Sequence, residues 1–375
     1  MEADMKFTCE KSLLQQAVTT ASRCVASKSP IPALEGLLLE AGQDVRVTGY
    51  DLKKGIYTSF PADVESTGAI VLSARLFGEI VRSLPDGIVT VEVKDGLSAA
   101  ITCGAADFSI LGTDPGEYPE LPTVDRQNAV SIPQDVLSKM IRQTIFAVSD
   151  NESRPIYTGS MFDISGETLS IVAVDGYRLA LRKEKVEAGD VENCSFIVPG
   201  TALSDVEKLC ADVSDKVDIT VGTKHISFSI GGTVLVSRRL EGEFLNYKKS
   251  IPADFGTTAE VDRDLLAQAV SRVSLVIDEK TKHPLRLNVS GETLEIGCQT
   301  GRGRAVDQCP AKVSGAGGLT IGFNNRYLLD ALKAAPSETV CIGLNTASSP
   351  CVILPTDGSD SFSYMILPVR LRADA

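Results

Sequence analysis

The 375-residue sequence has no tryptophan, and phenylalanine and tyrosine bring the aromatic share to only 5%. A platform on which successive bases of a single strand stack needs aromatic faces, so that mode of binding is not expected. The only histidines, His225 and His283, lie about 58 positions apart, which leaves little material for a Ser-His-Asp triad or a zinc site. No G-x-x-x-x-G-K-[ST], H-E-x-x-H or G-x-S-x-G occurs, and Gly301-Arg302-Gly303 lacks a third glycine and reads as a loop. A catalytic constellation, a metal and a cofactor are therefore not expected. No apolar run approaches the ~20 residues that span a bilayer. Met1 to Lys6 has no apolar h-region, so a secretory signal is not expected either. The nine cysteines include no Cys-x-x-Cys and sit singly among apolar neighbours, as at Cys24, Cys103 and Cys341. They read as buried, reduced thiols of a cytoplasmic protein.

What the chain does contain is a repeat. Gly42, Gly166 and Gly291 each lead a turn into an alternating strand, at spacings of 124 and 125 residues. Phe77, Leu203 and Leu329 keep nearly the same step, and so do Ile80, Val206 and Leu332, each pair at helical i, i+3 spacing. Two landmarks holding one period indicate a module of about 125 residues used three times. The expected domains are 1–127, 128–254 and 255–375, each long enough to bury its own core. Met5-Lys6-Phe7 looks like a natural strand start, which leaves Met1 to Asp4 as an upstream extension.

Within each module the pattern predicts short strands and two helices at matching places. The helices are expected at about 11–28 and 73–84, then 133–148 and 199–210, then 262–276 and 325–335. Pro133 and Pro199 are read as opening helices. Short turns between strands suggest antiparallel sheets with the helices on one face, an α+β fold. Net charge is −12, which by itself disfavours a nucleic-acid binder. The six helical windows nevertheless hold twelve lysines and arginines against seven acids. A basic helix layer inside an acidic body can attract phosphate locally, because screening acts over about 8–10 Å.

Two stretches look unlike plain scaffold. Val174-Asp175-Gly176-Tyr177-Arg178-Leu179 carries a hairpin turn. The tail Tyr364-Met365-Ile366-Leu367-Pro368-Val369-Arg370-Leu371 stays apolar where chain ends are usually polar. Taken alone, the first is a turn between strands, and the second is either a last core strand or the wall of a groove.

At these stretches, and at Ile321-Gly322-Phe323-Asn324, the sequence resembles the beta subunit family of DNA polymerase III, the bacterial replicative sliding clamps. The resemblance runs from Met5 to Leu371. It implies the DNA-clamp fold, with three-domain subunits pairing head to tail as a ring-shaped homodimer around double-stranded DNA. It implies no catalysis and no membrane, and a cytoplasmic, nucleoid-associated protein. The implied partners are the polymerase alpha subunit, the clamp loader, repair polymerases, and ligase or mismatch-repair factors, all bound through short peptides. A rival reading of the residues is a repeat-built protein-binding scaffold that does not encircle DNA.

The resemblance also implies sites. The peptide groove would take Tyr157, Val174, Gly176, Tyr177, Arg178 and Leu179. It would add Leu245, Lys249 and Ser250 from a linker, then Asn324, Tyr327, Ala347 and Ser349. Met365, Ile366, Leu367, Pro368, Val369 and Arg370 would complete it. The family often has proline, arginine and an apolar residue at Leu245, Lys249 and Ser250, and leucine at Tyr157. Arg372 to Ala375 extend past the family's usual end. DNA contacts are implied at Lys28, Arg82, Arg142, Asn151 and Arg154, while Pro155, Ile156 and Gly200 depart from the family's contact residues. Phe108, Leu275 and Val276 are implied at the dimer contact.

Overall fold

One order of elements, β-α-β-β-β-β-α-β-β-β, recurs three times, with an additional strand in the first copy. The computed structural model describes residues 5–124, 129–186, 193–278 and 283–371; Met1 to Asp4 and Arg372 to Ala375 lie outside them. The first repeat comprises β1 (Lys6–Glu10), α1 (Lys11–Ala21), β2 (Gly36–Ala41), β3 (Val45–Tyr50), β4 (Lys54–Phe60), β5 (Asp63–Ser66), β6 (Gly68–Ser73), α2 (Ala74–Ser83), β7 (Ile88–Lys94), β8 (Ser98–Cys103) and β9 (Ala106–Leu111). The second comprises β10 (Ala129–Pro133), α3 (Gln134–Arg142), β11 (Gly159–Ser165), β12 (Thr168–Val174), β13 (Arg178–Lys185), β14 (Cys194–Pro199), α4 (Gly200–Leu209), β15 (Lys216–Val221), β16 (His225–Ile230) and β17 (Thr233–Arg238), followed by the one-turn α5 (Tyr247–Ser250). The third comprises β18 (Thr257–Asp262), α6 (Arg263–Ser274), β19 (Leu285–Ser290), β20 (Thr293–Thr300), β21 (Gly303–Gly315), β22 (Leu319–Phe323), α7 (Asn325–Ala334), β23 (Thr339–Leu344), β24 (Cys351–Pro355) and β25 (Phe362–Ile366).

The chain forms two compact units. The first holds residues up to 137 together with 208–239, and the second holds 138–188, most of 192–207, and 240 onward. In the first unit a five-stranded sheet runs β5-β1-β7-β8-β9 and an eight-stranded sheet runs β10-β15-β16-β17-β4-β3-β2-β6. In the second a twelve-stranded sheet runs β14-β11-β12-β13-β25-β24-β23-β18-β21-β20-β19-β22. Two of these sheets cross repeats, because β17 pairs with β4 and β13 with β25, both antiparallel. Leu14, Val18, Phe77 and Ile80 bring α1 and α2 onto the first unit's core, with Phe7, Leu37 and Val91. Leu266, Val270, Leu328 and Leu332 do the same for α6 and α7 in the second, against Phe323, Ile342 and Tyr364.

Several boundaries differ from the sequence reading, each for a local reason. The first helix stops at Ala21, not near residue 27, because the Ser22 hydroxyl donates to Val18 O at 2.6 Å and a 3-10 turn follows through Cys24. Pro133 and Pro199 do not open helices. Each closes a strand, opposite Lys216 and Gly159 respectively, and α3 and α4 begin one residue later. A terminal ladder position is one where the missing N–H of proline costs little. Of the three leading glycines, Gly166 and Gly291 take φ of 56° and 57°, the left-handed conformation that glycine admits cheaply. Gly42 is not among the positive-φ residues, so its turn does not demand glycine. The reading also placed no strand at β5, β6, β10, β14, β18, β21 or β22. Strand β21 changes partner at Pro310: its first part pairs with β20, and Ala311 onward pairs with β18.

The helix landmarks Phe77, Leu203, Ile80, Val206 and Leu332 are buried, and Leu329 is half-buried. At least five of the twelve helical cations are ion-paired: Lys11 to Asp86, Arg75 to Glu79, Arg142 to Glu207, Arg263 to Asp264 and Arg272 to Asp307. The helix surface is thus less basic than the residue count suggests.

None of the nine cysteines is placed in a disulfide. Burial pushes the Cys9 and Cys351 thiols up to about 12, and burial with help from Asp307 takes Cys309 to about 11. A raised pKa leaves little thiolate, the reactive form, at neutral pH. At pH 8 these three are therefore expected to resist a disulfide reagent until the protein unfolds, whereas the half-buried Cys194 and Cys210 react natively. Counting labelled sites by mass spectrometry with and without denaturant checks this, and native labelling of Cys351 would contradict it.

Candidate functional site

The turn between β12 and β13 is organised by Asp175. Its Oδ1 accepts the N–H groups of Tyr177 and Arg178 at 2.8 and 3.0 Å, and Gly176 supplies a φ of 94°. An aspartate closing its own turn is a common hairpin device. The turn leaves Tyr177 62% exposed. It also points Arg178 inward, where Nε donates to Asp175 Oδ2 at 2.9 Å and Nη1 to Asp330 Oδ2 on α7 at 2.6 Å. The guanidinium lies 4.5 Å from the Tyr327 ring centre and 5.3 Å from that of Phe146. Tyr177 stacks on Tyr327 at 6.2 Å. One planar cation thereby joins a β-turn, a helix and the loop bearing Phe146, a use that suits arginine better than lysine. Burial, then Asp175, raises the Tyr327 hydroxyl above its usual range, so the ring stays neutral.

Beside this cluster lies a packed apolar cluster. Val174, Leu179 and Met365 pack with Met161, Leu181, Ile197, Tyr247 and Val352, and Tyr157 and Leu245 close over them half-buried. Tyr157 meets Phe244 edge to face at 5.5 Å. The Tyr247 hydroxyl donates to Asp163 Oδ2 at 2.7 Å, which anchors α5. On α5 Lys249 is exposed and Ser250 turns its hydroxyl to Asn246 O at 2.9 Å.

The tail lies alongside. Met365 and Ile366 end β25 opposite Leu179 and Arg178. Past the strand, Leu367 N–H donates to Tyr177 O at 2.9 Å and Val369 N–H to Gly322 O at 2.8 Å. A Cβ on Gly322 would lie 2.5 Å from Val369 O, so glycine is what lets the tail lie down there. Leu367 and Val369 remain 37% and 38% exposed, with Pro368 half-buried and Arg370 exposed. Asn324 spends its side chain capping α7, accepting Arg326 N–H at 3.0 Å. Ala347 and Ser349 sit on the β23–β24 loop, where the Ser349 and Thr346 hydroxyls are 2.7 Å apart.

Sequence reasoning missed Phe146, Phe244, Tyr247 and Asp330, and quoted Gly322 only as part of the Ile321–Asn324 motif, without its role beneath the tail. Only Asp330 left a usable signal, at i+3 from Tyr327 on one helix face. The others are brought in by tertiary packing.

The residues expected at DNA fall in both units. In the first unit Lys28 and Arg82 are exposed, one on the loop after the 3-10 turn and one in the last turn of α2. In the second unit Asn151 and Arg154 share a loop closed by Arg154 N–H on Asn151 O at 3.1 Å. Arg142 gives Nη2 to Glu207 Oε1 at 2.7 Å.

Of the residues expected at a dimer contact, Phe108 is half-buried on β9, an edge strand of the five-stranded sheet. Leu275 is 82% exposed just past α6, and Val276 packs half-buried on its own core. Nearby, the first part of β21 pairs only with β20 among the described residues, which leaves a second open edge. Arg272 ties α6 to that edge through Asp307 at 2.6 Å, and Val306 on it is 48% exposed. Among the described residues no three potential metal ligands lie together, and no helix is long and apolar enough to cross a membrane.

A threefold α+β chain whose antiparallel sheets pass from repeat to repeat defines the three-domain clamp fold. Family models for the N-terminal, central and C-terminal domains of the DNA polymerase III beta subunit match residues 5–122, 131–246 and 248–370 in turn. The chain belongs to the DNA polymerase III beta subunit family. Among its relatives are the beta sliding clamps of Bacillus subtilis, 33% identical over 98% of this chain and all of that one, and of Synechocystis, also 33% identical with the same coverage. The solved DNA polymerase sliding clamp of Bacillus subtilis superposes with a TM-score of 0.95 over 99% of this chain and all of that one, at 33% identity. A DNA polymerase III beta subunit structure from Eubacterium rectale gives 0.93 at 30% identity over 98% of this chain and all of that one.

Proposed function

We propose that this chain is a DNA sliding clamp. Two copies close head to tail around duplex DNA and hold a replicative polymerase on it, with no catalytic step of their own. The observation that carries this reading is the succession of three beta-subunit domains across residues 5–370. We assign the domains as 1–127, 128–254 and 255–375. Closure uses the two open strand edges, β9 of one copy against the first part of β21 of the other. An unpaired edge is a template for another strand, and a two-fold pairing of unlike edges closes and leaves no end to polymerise. Phe108, Leu275 and Val276 lie at this contact.

Linkage then replaces affinity. A closed ring needs no tight or base-specific contact, and weak phosphate contacts at Lys28, Arg82, Arg142, Asn151 and Arg154 permit sliding where strong ones would stall it. A trough from Tyr157 to Met365 takes apolar side chains of a short partner peptide. The exposed Tyr177, Leu367 and Val369 flank it, with Lys249, Ser250, Asn324, Ala347 and Ser349 around its rim. Polymerase, clamp loader and repair factors would share this one groove by turns.

The experiment is retention. After loading, the protein is expected to stay on nicked circular duplex through a high-salt gel-filtration column and to run off once the circle is linearised. Equal loss from both forms would reject encirclement and leave a protein-binding scaffold.

A further inference from the structure

We propose that one end of the eight-stranded sheet is a second phosphate-binding surface, separate from the five DNA contacts assigned above. The inference rests on the clamp reading and adds a place where the chain holds nucleic-acid backbone.

That end is made by the β3–β4 turn, the β15–β16 turn, the end of β17 and the 3-10 turn Ser22–Cys24. In a chain of net charge −12 these short pieces carry Arg23, Lys53, Lys54, Lys224, Arg238 and Arg239 against a single carboxylate, Asp51. The backbone brings them together. Arg238 N–H donates to Lys53 O and Arg239 N–H to Lys224 O, both at 2.9 Å, and the Lys54 ammonium reaches Arg23 O at 3.5 Å. Arg23, Lys53, Lys224 and Arg238 are exposed, and none forms an ion pair among the described residues. Asp51 does not neutralise them through a side-chain pair. Its Oδ1 accepts the N–H groups of Lys53 and Lys54 at 2.8 Å each, so it is occupied closing the turn. Arg239 Nη1 donates to Gly222 O at 2.6 Å and stiffens the loop that carries Lys224. Burial, then Arg238 and Lys224, hold the His225 imidazole below its ordinary range, as a positive local field requires.

The ligand class follows from comparing two like turns. Asp51 to Lys54 repeats the Asp175 to Arg178 turn: Asp51 N–H donates to Lys54 O at 3.1 Å, as Asp175 N–H does to Arg178 O at 3.3 Å. In the peptide groove the arginine is neutralised by Asp175 and Asp330, and Leu179 beside it packs in the apolar cluster. Here the exposed Arg23, Lys53, Lys224 and Arg238 have no such partners among the described residues. Gly55 stands where Leu179 would, and the space is filled from within, since a Cβ on Gly55 would lie 2.9 Å from Leu121 Cδ2. The copy has therefore no trough for an apolar peptide and presents charge instead. Adjacent strands lie about 4.8 Å apart, so the ends of β16, β17 and β4 span about 10 Å. That spacing lets several cations meet one phosphate backbone at once, within a screening length of about 8–10 Å. Lysine and arginine without exposed aromatics favour backbone over bases.

The test uses the full-length protein and the triple variant Lys53→Ala, Lys224→Ala, Arg238→Ala, all exposed positions, with Lys53→Glu, Arg238→Glu as a second variant. Anisotropy of a labelled linear duplex of about 20 base pairs is followed from about 25 to 150 mM salt. The triple variant should bind at least about tenfold more weakly at low salt, with its salt slope reduced by about 2.7 for three lost contacts. The charge-reversed protein should bind more weakly still. A single strand of equal length, run in parallel, shows which form of backbone the surface prefers. Unchanged affinity for both strands and duplex overturns the proposal, and so does a loss confined to polyglutamate, which would mark a surface for acidic proteins. Failure of the wild type to stay on circular duplex rejects the ring but not the patch, so the two ideas fail separately.

Discussion

Replacing Gly322 by valine is expected to weaken partner-peptide binding by at least about tenfold, or about 1.4 kcal/mol, while leaving the fold intact. Strand β22 itself suits a β-branched residue. The obstacle is the tail, because the new Cβ would lie 2.5 Å from Val369 O and 2.8 Å from Leu371 Cδ2, both on the segment proposed to wall the groove. The hydrogen bond from Val369 N–H to Gly322 O would be lost as the tail lifts. Titration calorimetry with a polymerase-derived peptide measures the affinity, and amide exchange at Leu367 to Leu371 reports whether the tail is released. Full affinity with a released tail would remove Leu367 to Arg370 from the groove. Full affinity with the tail still protected would show that β22 yields instead. The variant separates tail from strand, which truncation at Tyr364 does not, because Tyr364 is fully buried and belongs to the core of the second unit.

Leu275→Asp is expected to turn the proposed dimer into a monomer at concentrations where the wild type is paired. Leu275 is 82% exposed in the single chain, so the change costs the fold little. In a closed pair it would forfeit about 1.5–3 kcal/mol of leucine burial and leave a carboxylate seeking a partner. Together these raise the dissociation constant by about two decades or more. Sedimentation velocity decides the matter, and an unaltered dimer would place Leu275 outside the contact. Val276 is the poorer probe, since it already packs on its own core and its loss would mix stability with association.

Periodicity was a good guide to the helices and a poor one to the sheets. The apolar stripes of α2, α6 and α7 lie where i, i+3 spacing puts them, because a helix buries a face set by its own residues. The missed strands β14, β18, β21 and β22 depend on what they pair with, which no local pattern states. The turn at Asp175 was legible from Asp-Gly alone. That Arg178 faces inward and is held by Asp330, 152 positions later, was not.

The sequence by itself determined the threefold repeat, the α+β class, the turn at 174–179 and the apolar run at 364–371. Each is written in local terms: spacing, turn chemistry and an apolar run. Only the tertiary structure decided that the sheets run from one repeat into the next, that Tyr247 and Phe244 pack beside Val174 and Leu179, and that Arg178 is neutralised by Asp330. Those outcomes depend on which distant carboxylate or side chain a fold delivers, and chain order does not encode that distance.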